Sequence, residues 1–83
     1  MLYRLYTENI PNTDKIVSRY YEGYTLITAE GYWQGIAESS LIVEIISSED
    51  ESAKIATLAN EIKQVNNQVT ILVEVLQNKE YFI

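Results

Sequence analysis

Cysteine and histidine are both absent from this 83-residue chain, and proline occurs once. Without cysteine there is no disulfide framework and no thiolate zinc site. Without histidine the commonest general base and the commonest transition-metal ligand are missing together. Only three glycines are present, and none follows a phosphate-loop or dinucleotide-binding pattern. No window approaches the roughly 18 consecutive apolar residues that would span a membrane. The opening "MLYRLYTENI" lacks the basic start and apolar core of a secretion signal, so a cytoplasmic location is expected.

Cations are scarce as well. Six Lys and Arg stand against twelve Asp and Glu, a net charge of -6. The excess lies between Gly23 and Ala53, a stretch with six carboxylates and no Lys or Arg. Nucleic acids and anionic membranes need cations, so neither is an expected partner. Solubility alone accounts for an acidic middle.

Apolar residues make up 47% of the sequence, enough for a folded core and too many for disorder. A single domain spanning 1–83 is expected. So short a chain buries only somewhat over about 60% of its unfolded surface, and oligomerisation is a common remedy.

The elements follow from periodicity. "LYRLYTEN" alternates as a strand, with Tyr3, Leu5 and Thr7 on one side and Leu2, Arg4, Tyr6 and Glu8 on the other. Pro11 ends it. Asn12 or Thr13 then caps a helix that sets Ile16, Val17, Tyr20 and Tyr21 on one face, with Gly23 as its terminator. "YTLITAE" reads as a second strand and "SLIVEIIS" as a third, joined by "GYWQGIAES" as a connection. Ser48 and Glu51 have capping-box spacing before a helix striped by Ile55, Leu58, Ala59, Ile62 and Val65. "VTILVEVL" is the fourth strand, and the apolar "YFI" at the C-terminus is expected to dock on the same or an adjacent subunit.

This order is the split βαβ arrangement, an α+β ferredoxin-like βαββαβ fold. It predicts one antiparallel sheet of order 4-1-3-2 with both helices on one face. Tyr3, Leu5, Leu41, Val43, Ile45, Ile71, Val73 and Val75 would lie beneath the helices. The other face should be polar, yet it offers Leu2, Arg4 and Tyr6, then Ile42, Glu44 and Ile46, then Leu72, Glu74 and Leu76. Each triplet has one charge between two bulky groups, and the strand order sets Arg4 between Glu44 and Glu74. Such a patch is too apolar for a comfortable monomer. These nine residues are the expected oligomer interface, with the three charges setting register.

With "GYTLITAEGYWQG" leading into "ESSLIVEII", the unit resembles the PII-like superfamily, which includes PII signalling proteins and CutA. The resemblance implies trimers packed through their open sheet faces, with ligands in clefts between subunits. ACT domains share the fold and also bind small ligands between subunits.

The candidate ligand site is the aromatic connection. Trp33 and Tyr32 can stack on a planar ligand such as a nucleobase or bury area at a contact, and Gln34 can read a base edge. Glu38 completes the set. Serines are present, but no histidine can activate them. Glu30 and Glu38 flank the connection and would have to meet across it to act as an acid–base pair. "SSEDES" has oxygen donors but not the spacing of a calcium loop, and a capping role accounts for it. The expectation is therefore a non-catalytic, cofactor-free and metal-free dimer or trimer that senses or sequesters a small, nucleotide-type ligand. Phage-encoded proteins that sequester a host signal have this economy. The alternative is a protein–protein adaptor or inhibitor, whose acidic middle meets a basic partner.

Overall fold

The computed structural model describes residues 1–77. Strand β1 (Leu2–Glu8) is followed by helix α1 (Thr13–Ser18), strands β2 (Thr25–Trp33) and β3 (Ile36–Ile46), helix α2 (Ser52–Val65) and strand β4 (Leu72–Leu76). The sheet has the order β2-β3-β1-β4 with every pairing antiparallel, as expected.

One face of the sheet carries the core. Tyr3 and Leu5 from β1 and Leu41, Val43 and Ile45 from β3 pack with Ile16 and Val17 of α1 and Ile55, Leu58 and Ile62 of α2. Fully burying a side chain of this size stabilises by roughly 1.5–3 kcal/mol. Coverage thins toward the edges. Val73 and Val75 of β4 stay exposed, as does Val65 at the end of α2, although their spacing placed them among the covered residues. Edge strands have a neighbour on one side only, and the two helices centre on β1 and β3.

The helix ends differ from the local expectation. Asn12 takes the N-cap position of α1 in the left-handed region (φ 74°) and makes no side-chain cap. Thr13 Oγ1 donates instead to the Ile10 carbonyl at 2.8 Å. The helix ends at Ser18, so Gly23 lies well beyond it. At α2 the N-cap is Glu51, and Ser48 plays no part in it. Asp50 accepts from the Ser52 amide at 2.9 Å and from the Ser52 hydroxyl. The fully buried Tyr3 hydroxyl accepts from the Glu51 amide at 2.8 Å. A tyrosine from the middle of the sheet therefore satisfies one of the orphan donors at this helix start.

The largest departure concerns residues 31–39. They form no loop. β2 and β3 continue through them as one long hairpin, closed by Gln34 (φ 51°) and Gly35 (φ 78°). Positive φ at both central residues defines a type I′ turn, whose twist suits the flanking strands. A two-residue turn with Gly in second place was the available signal.

Candidate functional site

The hairpin outruns the rest of the sheet. β1 pairs along β3 only as far as Glu8 opposite Ser40, so among the described residues Ile36 to Ser39 have β2 as their only strand neighbour. The result is an arm projecting past the helices. Asn9 braces its base, with its amide donating to the Ser39 carbonyl and its side-chain nitrogen to Ser39 Oγ, each at 3.1 Å. At the tip Tyr32 and Trp33 are each 69% exposed and Ile36 is 70% exposed.

Strand alternation decides what these side chains can share. Gly31 pairs with Glu38 and Trp33 with Ile36. These four lie on the face that the helices leave open, along with Ala29 and Ser40. Tyr32 pairs with Ala37 and Glu30 with Ser39 on the opposite face. Of the four expected ligand contacts, Trp33 and Glu38 therefore share a face, Tyr32 occupies the other, and Gln34 stands at the turn between them. Glu30 and Glu38 are likewise on opposite faces and form no acid–base pair across the hairpin. Tyr32 donates its hydroxyl to Glu30 at 2.8 Å, so that carboxylate is engaged within the arm. A shallow open depression lies along the arm, lined by Ala29, Glu30, Ala37, Glu38 and Ser39.

The open face of the sheet carries the expected charge cluster. Arg4 stands opposite Glu44 on one side and Glu74 on the other. Its Nε lies 2.7 Å from Glu44 and Nη1 lies 3.6 Å from Glu74. Tyr6 donates to Glu74 at 2.8 Å. The hydrogen bond to Glu44 raises the Arg4 pKa. The bond to Glu74 raises that of Tyr6, and burial adds to it. Around the cluster, Ile46 and Leu72 are exposed. Leu2 lies on the same face but is only 9% exposed, held between Ile46 and Leu76 across its two pairings. Of the nine expected interface residues it has the least surface left to offer a partner chain.

A third group of polar contacts ties the helices together and was not legible locally. Tyr20 donates to Glu61 at 2.6 Å, and Arg19 also pairs with Glu61. The Lys54 ammonium lies 4.2 Å from the centre of the Tyr21 ring. Burial, aided by the Glu51 carboxylate, pushes the Tyr21 phenol up to about 12. These partners are separated by tens of residues, so no motif announces them. Among the described residues, no group of three or more His, Cys, Asp or Glu could hold a metal ion. None of the described helices is long and apolar enough to cross a membrane. The expected docking of the C-terminal "YFI" lies outside the described residues.

The architecture is that of a ferredoxin-like α+β domain, a small fold of the CutA and PII kind. No family model matches the chain, and no curated protein matches it in sequence. Solved structures do. A phage SAM lyase in its apo state superposes with a TM-score of 0.70 at 19% identity, over 87% of this chain and 75% of that one. The periplasmic divalent cation tolerance protein CutA from Archaeoglobus fulgidus superposes with a TM-score of 0.52 at 16% identity, over 98% and 85%. Identities this low establish shared fold. They also correct one expectation: the composition suggested a domain without catalysis, yet a lyase is built on this fold, so the non-enzyme reading does not stand. Lack of histidine removes one catalytic route, whereas carboxylates and tyrosines remain. Nor does the fold belong to the cytoplasm alone, since the CutA structure is of a periplasmic protein.

Proposed function

We propose that this chain binds S-adenosylmethionine, or a sulfonium nucleoside like it, on the hairpin arm and acts on it as a lyase. The observation that carries the reading is the arm itself. It presents two exposed aromatic side chains within a stretch that has six carboxylates and no cation, on a fold that a SAM lyase also uses. A nucleobase stacks on aromatic faces, each stack contributing about 1–3 kcal/mol. A sulfonium is a fixed positive charge, which carboxylates and aromatic rings both stabilise. When the ligand's own carboxylate closes on the carbon beside sulfur, a carbon–oxygen bond forms as the carbon–sulfur bond breaks. The electron pair goes to sulfur, a lactone forms and a neutral thioether leaves. That leaving group needs no proton, which suits a chain without histidine. The active form in this reading is a dimer or trimer whose open sheet faces meet, covering the Arg4–Glu44–Glu74 cluster and setting arms beside neighbouring subunits.

Thermal melting with S-adenosylmethionine tests binding, since a ligand at about 100 times its Kd adds about 2.7 kcal/mol of stability. Mass spectrometry of the nucleoside recovered afterwards tests turnover. Stabilisation together with a cleaved nucleoside supports the proposal. Stabilisation with intact nucleoside reduces it to sequestration, and absence of both refutes it.

A further inference from the structure

The arm has two faces, and they are not equivalent. On the helix side, Tyr32 and Glu30 are bonded to each other. On the open side, neither the Trp33 nor the Glu38 side chain has a hydrogen bond, ion pair or ring contact among the described residues, although both residues belong to regular strand. Between them lies Gly31, paired directly with Glu38. A Cβ added there would come within 2.6 Å of Ser40 Oγ. This glycine has no positive φ to justify it, so turn geometry does not explain it. Its missing side chain makes room for the Ser40 hydroxyl, on the face that also carries Trp33 and Glu38.

Resting on the proposed function, we infer that the open face of the arm is the recognition surface and that Glu38 is the residue selecting a sulfonium over a neutral thioether. Trp33 stacks on the base, and the unpaired Glu38 carboxylate faces the positive sulfur. Trp33 and Glu38 sit on diagonally adjacent positions of one face, roughly 7–8 Å apart between backbones and within reach of long side chains. That span suits a ligand whose base and charge lie at separate points. The Tyr32–Glu30 face has its carboxylate already occupied and would have to break a bond to do the same.

Calorimetric titration of the full chain with S-adenosylmethionine and with S-adenosylhomocysteine, its neutral thioether counterpart, tests this. Trp33→Ala should weaken both ligands by roughly tenfold or more, the loss of one stack. Glu38→Gln should weaken S-adenosylmethionine by about tenfold and leave S-adenosylhomocysteine within about twofold, erasing the preference for charge. Tyr32→Ala and Glu30→Gln probe the opposite face and should weaken either ligand less than Trp33→Ala and Glu38→Gln do. Circular dichroism establishes that each variant is folded. Binding that follows Tyr32 and Glu30 instead, or a Glu38→Gln variant that keeps its preference for the sulfonium, overturns the inference while leaving the proposed function in place. A folded wild-type chain that binds neither nucleoside overturns both.

Discussion

Replacing Tyr3 by Phe isolates the contact that joins the sheet to α2. The ring is fully buried in the core and would stay packed, so the change removes a hydroxyl and little else. That hydroxyl accepts from the Glu51 amide at 2.8 Å and lies 3.5 Å from Asp50 Oδ1. Without it, the amide at the start of α2 loses its partner. A fully buried orphan donor costs about 1–3 kcal/mol. Glu51 is half-buried, and water can reach part of the way, so the lower half of that range applies. The expected loss is about 1–2 kcal/mol. A single domain of this size holds on the order of 5–15 kcal/mol in total. At about 4–8 °C per kcal/mol, the melting temperature should fall by roughly 4–16 °C. Urea denaturation followed by circular dichroism, at fixed protein concentration, measures it. Tyr24→Phe is the control, because that hydroxyl makes only an exposed contact at 3.5 Å and should cost almost nothing. If Tyr3→Phe falls within about 0.3 kcal/mol of wild type, the hydroxyl does not hold the helix start and the argument fails.

Leu58→Ala in the fully buried stripe of α2 should cost about 2–5 kcal/mol, seen as a large drop in the urea midpoint with the slope retained. Arg4→Met leaves Glu44 and Glu74 flanking β1 with no cation between them, so sedimentation velocity should show assembled protein shifting to monomer. An unchanged distribution, or a wild type that is monomeric at micromolar concentration, removes the interface. The Tyr21 phenol holds its proton up to about 12, whereas an unfolded tyrosine begins to release it near about 10. Stability is therefore full below about pH 10 and drains as pH rises through about 12, and Tyr21→Phe should flatten that alkaline limb in circular-dichroism titrations.

The fold was readable because its signals are local. Alternation in "LYRLYTEN" and the 3.6-residue stripe from Ile55 through Ile62 each report one face of one element, and the element order leaves few ways to assemble them. Even the triad of Arg4, Glu44 and Glu74 could be set side by side, because strand order fixes neighbours and each charge sits mid-strand. The hairpin was misread because Gly31 and Gly35 look alike in a sequence. Only Gly35 sits in the turn at positive φ, while Gly31 is ordinary strand with Ser40 pressed against its empty side. Reading both as loop merged Tyr32 and Trp33 into one surface, whereas the strand turns them apart.

What the amino-acid sequence by itself determined is the identity and order of the elements, the core stripe and the apolar character of the uncovered sheet face. These depend on periodicity and composition, which act within a few residues of each position. Tertiary structure alone decided how far β2 and β3 run past β1, which arm residues share a face, and that Tyr3 reaches the start of α2. Those outcomes depend on register and on contacts between residues tens of positions apart, where the free energy belongs to the pairing and not to either partner.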